Sequence, residues 1–143
     1  MTKQYIILRK DAPTVTGKPV SPAKLAVMTA HASMVFLSRQ VTATSDKAGH
    51  VNFTLDKEAY EWLTGPFTKI LLAAKNLHAL EKAVKLVEEN GLVEGKDFFC
   101  IHDDCCTELL PDEGKNTCFI AIGFRPMDEE RVRPIMKHFE LYH

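Results

Sequence analysis

The stretch that decides the fold reads Gln4-Tyr-Ile-Ile-Leu-Arg9, then a loop, then Ser21-Pro-Ala-Lys-Leu-Ala-Val-Met-Thr-Ala-His31. The first part is a short run of β-branched and aromatic residues, which predicts a strand covered on both faces. The second part begins with a good helix-capping serine and a proline at the favoured first helical position. It predicts a helix from Pro22 to about Arg39, so the chain opens as a strand that leads into a helix.

The rest of the chain continues this alternation. Apolar runs predict further strands at 67–74, 97–102 and 117–124, and amphipathic or capped segments predict helices at 54–63, after Asn76 and from about Asp128. The order β-α-α-β-α-β-β-α predicts a single-domain α/β protein over residues 1–143, with a four-stranded mixed, mostly parallel sheet and helices on both faces. The short link between the last two strands leaves room for one antiparallel strand.

Composition narrows the class of protein. The 143 residues fit one domain, 45% of them are hydrophobic, and the formal net charge is −1. A nucleic-acid binder usually carries a basic excess, so any cationic surface here must arise from segregation of charge. Four cysteines without a secretory signal, and no apolar run long enough to span a bilayer, predict a soluble cytoplasmic protein with reduced thiols and no membrane contact.

Two segments carry side chains suited to chemistry. Lys24, Met28 and His31 are spaced to share one face of the first helix. The segment Ile101-His-Asp-Asp-Cys-Cys-Thr107 follows a predicted strand, and ligand sites in open α/β sheets form at the carboxyl ends of strands. We therefore expect Lys24, His31, Asp103 and Thr107 to line one pocket. On pattern alone, a solvated turn at the aspartates and an interfacial histidine remain the alternatives.

Other chemistries find less support. Dinucleotide and P-loop motifs are absent. Cys105, Cys106 and His102 suggest a metal site, but adjacent cysteines are poor ligands for one tetrahedral ion, and we expect no metal. A Cys106 nucleophile with His31 and Asp103 is an alternative that ranks last.

These residues resemble a known family. Lys24-Leu-Ala-Val-Met-Thr-Ala-His-Ala32 is similar to the first-helix motif of type-2 peptidyl-tRNA hydrolases, which reads Lys, three small or apolar residues, Gln, a small residue and Ala-His-Ala. The resemblance is collinear over nearly the whole chain, and the ends look like the divergent eukaryotic branch known as peptidyl-tRNA hydrolase domain-containing proteins. The other matching segments are Gln4 to Asp11, Trp62 to Ile70, Asp103 to Thr107 and Gly114 to Gly123.

The resemblance implies hydrolysis of the ester that links a peptide to the 3′ ribose of tRNA, by a homodimer, without metal or cofactor. By position, Lys24, His31, Asp103 and Thr107 inherit the catalytic roles. Asp103 would accept a proton from water, Lys24 would keep it ionised and stabilise negative charge, Thr107 would orient the water, and His31 would position the ribose or a phosphate. Further substrate-binding candidates are Met28 and Thr117, and the phosphate contacts Lys10, Lys18, Lys24 and Lys69 near the predicted sheet edge.

Two departures from the family pattern bear on activity. The family's glutamine is Met28 here, whose thioether cannot donate a hydrogen bond. The family's Ala-Gly after the aspartate is Asp104-Cys105. If that glycine has a positive φ, Cys105 must adopt it at a cost on the order of 1 kcal/mol, or the loop takes another shape. A second carboxylate beside Asp103 would also repel phosphate. The competing interpretation is a non-catalytic tRNA- or protein-binding relative that retains the scaffold.

Overall fold

A mixed, open sheet forms the centre of the protein, whose computed structural model describes all residues from 1 to 143. In chain order the elements are β1 (Thr2–Arg9), α1 (Pro22–Thr44), α2 (Lys57–Thr64), β2 (Lys69–Ala74), α3 (Leu77–Glu89), β3 (Phe98–Asp103), β4 (Cys118–Phe124), β5 (Met127–Asp128), α4 (Glu129–Met136) and β6 (Glu140–Leu141). The strand order in the sheet is β3-β4-β1-β2-β6, and β5 pairs with the beginning of β1.

The predicted four-stranded, mostly parallel sheet is wrong in two respects. There are six strands, because β5 and β6 are two-residue strands too short to show a sequence pattern. Only β1 and β2 pair in parallel, whereas every other pairing is antiparallel. The connection from β3 to β4 contains no helix, so β4 returns antiparallel and inserts between β3 and β1. As a result β1, β2 and β3 still run in one direction, and their carboxyl ends share one edge of the sheet.

Helices cover both faces of this sheet. Ile6 and Leu8 on β1 face a core that includes Met28 and Ala32 of α1. The alternate residue Ile7 faces the other core, which contains apolar residues of α3 and α4 such as Leu80. The alternation places the two cores on opposite sides of the strands, so the α/β class is confirmed.

The start of α1 follows from its local sequence. The Ser21 hydroxyl accepts a hydrogen bond from the backbone N–H of Lys24 at 3.2 Å, and Pro22 occupies the first helical position. The helix is longer than predicted and ends at Thr44, not near Arg39. Its last turn contains no glycine or proline to stop it, and threonine hydroxyls there bond to carbonyl groups four residues earlier. The second helix begins at Lys57, three residues later than the predicted start at 54, and Asp56 is its N-cap.

The position of α1 on the sheet is fixed by two close contacts. A Cβ at Gly123 of β4 would lie 2.2 Å from the carbonyl oxygen of Ala32, so only glycine permits this approach. The buried Gln4 amide donates to the Ser33 carbonyl at 2.8 Å and accepts from the Ser33 hydroxyl at 2.6 Å. Both contacts lock the helix against the central strands, and so fix the side chains on its exposed flank.

Candidate active site

An ion pair joins the first turn of α1 to the end of β3. The Lys24 ammonium lies 2.8 Å from a carboxylate oxygen of Asp103, Oδ2, and the two side chains are 15% and 9% exposed. Lys24 Nζ also donates to the Thr107 hydroxyl at 3.3 Å. Asp103 is in place because Phe99, Ile101 and Asp103 alternate towards α1 along β3, so the last strand residue faces the first helical turn.

The loop after β3 turns sharply to hold the carboxylate. The second oxygen of Asp103, Oδ1, accepts the backbone N–H of Cys105 at 2.8 Å. Cys105 has a φ of 61°, so of the two possibilities for this loop the residue takes the left-handed conformation. Burial and the nearby negative charge of Asp103 raise the pKa of the Cys105 thiol, which stays protonated at neutral pH.

A cavity of about 260 Å³ opens beside the ion pair. The structure brings Lys24, His31, Asp103 and Thr107 together as its walls. Its other lining residues are Met28, Ile101, His102, Asp104 and Cys106. The expected pocket therefore exists, and the catalytic roles of its residues stay a prediction. His31 and Thr107 are exposed at the rim, whereas Asp103 is buried at the base.

Met28 belongs to the cavity and to the core at once. Its side chain is 2% exposed and packs with Ile6, Leu8 and Ala32 beneath the pocket. It offers the cavity an apolar floor with no hydrogen-bond donor.

The other candidate residues lie outside this cavity. Lys10 and Lys18 are exposed and line a separate surface cleft. Thr117 faces the opposite side of the sheet, where its hydroxyl lies 3.5 Å from His102 Nδ1. Lys69 pairs with Gln4 near the start of β1, so it lies at the amino ends of the parallel strands, whereas Asp103 lies at the carboxyl end of β3. The expectation that Lys69 and the site share one end of the sheet is therefore wrong. Its ammonium lies over the Phe67 ring, and burial lowers its pKa.

Sequence reasoning missed a carboxylate that ties the two halves of the site together. Glu108 accepts the backbone N–H of Ser21 at 2.9 Å and the Ser21 hydroxyl at 2.8 Å. Because Ser21 caps α1 and Glu108 follows Thr107, this contact fixes Thr107 relative to Lys24. Glu108 sits in a loop without periodicity, so no sequence signal marked it.

A second missed interaction anchors the loop between β3 and β4. Arg9, 5% exposed, lies 2.7 Å from Asp112, whose other oxygen accepts the Phe119 amide at 2.8 Å. The available signal was the arginine itself, because a charge at the end of a strand covered on both faces requires a partner.

The thiols do not form an activated centre. Cys106 Sγ contacts the Asp104 carbonyl oxygen at 3.8 Å, and no imidazole or carboxylate is hydrogen-bonded to it. No three His, Cys, Asp or Glu side chains lie close enough together to hold a metal ion. The chemistry that this cavity does offer is acid–base chemistry at a carboxylate held by an ammonium and flanked by a hydroxyl.

The fold and the site define an α/β protein whose polar cavity lies between its first helix and the edge strand β3. The family described as peptidyl-tRNA hydrolase PTH2 matches residues 2–142. The chain belongs to this family over nearly its whole length. No curated protein matches the chain significantly. None of its helices is long and apolar enough to cross a membrane.

Proposed function

We propose that this protein hydrolyses the ester bond between a peptide, or an N-blocked aminoacyl group, and the 3′ ribose of tRNA. Membership of the peptidyl-tRNA hydrolase PTH2 family supports the reaction class. The observation that carries the proposal is the Lys24–Asp103 pair, which shares its cavity with Thr107 and His31.

Asp103 is the proposed general base. Each of its oxygens already accepts one hydrogen bond, from Lys24 or from Cys105, and each can accept a second. A water molecule held at a free lone pair would lose its proton to Asp103 as it attacks the ester carbonyl. When the ester C–O bond then breaks, the leaving ribose oxygen takes that proton from Asp103. Lys24 holds the Asp103 carboxylate in an ion pair and, from the same position, faces the negative charge that develops on the carbonyl oxygen.

Thr107 and His31 are proposed to position the reactants. The Thr107 hydroxyl is hydrogen-bonded to Lys24 and orients the attacking water. His31, exposed at the rim, holds the terminal ribose or its phosphate. Met28 contributes only an apolar floor, so a substrate hydrogen bond made by the family's glutamine is missing.

Binding of tRNA by so neutral a chain requires local cationic surfaces. Lys10 and Lys18 are proposed phosphate contacts at one cleft, and Lys69 and Thr117 are more distant candidates. Binding is expected to be weak and to weaken steeply with salt, since each neutralised phosphate contributes roughly 0.7–0.9 to the log–log slope. A cytoplasmic location fits a tRNA substrate.

A homodimer is part of the proposal. Val27, Met34 and Val41 recur every seven residues on α1 and are all exposed, and the helix carries no lysine, arginine or acidic residue between Lys24 and Arg39. An apolar stripe with this period suits pairing with a second copy. Sedimentation of the wild type and Met34→Glu tests it: a dimer that becomes a monomer is expected, and a monomeric wild type contradicts the dimer.

The deciding experiment measures release of peptide from a defined peptidyl-tRNA. Asp103→Asn should lower kcat by about 10²- to 10⁴-fold, because the amide cannot act as a base. The matched variant Asp104→Asn removes the neighbouring, exposed carboxylate. It should retain kcat and lower KM, since a charge that repels phosphate is gone. Equal activity of Asp103→Asn and the wild type would contradict the proposal.

The same assay weighs a second candidate, a non-catalytic tRNA-binding relative. The apolar, core-packed Met28 in place of an amide favours it. Tight tRNA binding by the wild type without any ester hydrolysis would establish this alternative.

A further inference from the structure

The contact line between α1 and β3, which we call the groove, has the proposed active site at one end and a second cavity at the other. β3 is the edge strand of the sheet, so the groove is open on its outer side. The helix runs antiparallel to the strand: Lys24 lies beside Asp103 at one end, and Arg39 lies over the Phe99 ring at 5.9 Å near the other. Lys24, His31, Val35 and Arg39 follow one another at intervals of seven, four and four residues, which places them along one side of the helix.

A second cavity, of about 340 Å³, lies at the far end of this groove. Its walls combine the aromatic rings of Phe36 on α1 and Phe99 on β3 with four charged residues. These are Arg39 from α1, Asp56 at the start of α2, Lys96 from the turn before β3 and Arg125 after β4. The aromatic side chains are buried and form a rigid base beneath the basic ones. The cavity is therefore built from four separate segments of the chain, all of which belong to the packed fold.

The charges of this cavity are unbalanced. Arg125 is neutralised, because it is paired with Asp97 at 2.8 Å, Glu58 at 3.1 Å and Asp56 at 3.2 Å. Arg39 and Lys96 form no ion pair with any carboxylate of the chain, although both line the cavity. Two unpaired cations that face one hollow attract a polyvalent anion, and an arginine suits a phosphate group particularly well.

The spacing of the two cavities suits a nucleic-acid strand. Arg39 is fifteen positions after Lys24, so their Cα atoms are about 22 Å apart along the helix. At roughly 3.4 Å per stacked nucleotide, that distance corresponds to about six nucleotides, and to fewer if the strand is extended. A strand whose 3′ end lies at Asp103 would therefore pass Arg39 a few nucleotides earlier in its sequence.

We propose that Arg39 and Lys96 bind phosphate groups of the tRNA strand that ends at the ester, a few nucleotides before its 3′ terminus. The inference rests on the proposed function, since that function places the 3′ end beside Asp103. One cavity then holds the reacting ester, and the other holds the tRNA backbone at a fixed distance from that ester.

The test compares two double variants that each remove two positive charges. Arg39→Gln with Lys96→Gln alters the groove. Lys82→Gln with Lys85→Gln alters α3, on the opposite face of the sheet, and serves as the matched control. All are exposed residues, and thermal melts check that both variants are folded.

For peptidyl-tRNA, KM of the groove variant should rise roughly three- to tenfold while kcat is retained, and the control should stay at the wild-type value. The log–log salt slope of binding to a short single-stranded RNA should fall by about 1.4 for the loss of two phosphate contacts. Hydrolysis of a peptidyl-adenosine ester, which lacks the upstream phosphates, should be the same in all three proteins.

Equal KM values for the two double variants, or an equal loss with the peptidyl-adenosine ester, would overturn the inference. A wild type that hydrolyses neither ester would refute the proposed function instead. In that event the salt dependence of RNA binding still tests whether Arg39 and Lys96 bind phosphate groups, because it requires no turnover. An unchanged slope in the groove variant refutes phosphate binding by these two residues.

Discussion

Replacement of Cys105 tests the geometry of the loop that holds Asp103. The residue has a φ of 61°, and a side chain in this left-handed region costs about 1–2 kcal/mol. Cys105→Gly removes that cost but adds freedom to the unfolded chain, worth about 0.4–1 kcal/mol. Cys105→Ala retains the strain. Both variants lose the thiol, so its packing cancels in the comparison, and the glycine variant should be more stable by about 1 kcal/mol.

Urea unfolding at neutral pH measures this difference directly. Thermal melts provide a second measurement. In a chain of this length, a difference of 1 kcal/mol should separate the two melting temperatures by about 4 °C. The backbone N–H of residue 105 still donates to Asp103 in both variants, so hydrolysis should be similar in the two. An alanine variant as stable as the glycine variant, or more stable, would show that residue 105 does not have the left-handed conformation.

Three further predictions concern the surroundings of the site. Glu108→Ala leaves the Ser21 N–H and hydroxyl without their acceptor, so the free energy of unfolding should fall by about 1–3 kcal/mol and kcat should fall with it; a variant with wild-type kcat would contradict a positioning role. Burial raises the pKa of Asp97, whereas hydrogen bonds from Arg125 and a backbone amide lower it. The hydrogen bonds outweigh burial, so the net shift of the pKa is downward. The ionised Asp97 therefore stabilises the fold fully above the unfolded pKa near 3.9, and this stabilisation is lost as pH falls through the folded pKa. In urea unfolding, the free energy of unfolding of Asp97→Asn should be lower than that of the wild type by roughly 2 kcal/mol. This difference should be constant from pH 5 to 7 and should shrink below pH 4. Met28→Gln should lower the free energy of unfolding by about 1–3 kcal/mol without raising kcat, because the position is 2% exposed and packed among apolar side chains; a gain in kcat with an unchanged melting temperature would contradict this.

Local features of the sequence were sufficient to predict the elements that begin with clear signals. Ser21-Pro22 determines the start of α1, and the apolar runs determine the four long strands. Pairing between strands is a property of distant segments, so the insertion of β4 between β3 and β1 left no local signal. The same limit applied to Lys69, whose place opposite Asp103 follows only from its register with Gln4.

The candidate site was predictable to the extent that strand ends and helix periodicity locate side chains. Asp103 ends β3, and Lys24 and His31 share a helix flank, so their convergence followed from two local rules and was strengthened by the family resemblance. The contact between Glu108 and Ser21 depends on how a loop folds back over 87 residues of sequence, which no periodic pattern encodes.

The place of β4 in the sheet also governs the order in which a nascent chain can assemble. β1 pairs with β2 on one side, but its other side is completed only by residues 118–124, more than 100 residues after β1. During synthesis that side of β1 is an open strand edge, and such edges promote association with other chains. The ion pair between Lys24 and Asp103 depends on the same late step, because β3 joins the sheet only by pairing with β4. The ribosome must therefore release the chain up to Phe124 before this site can exist.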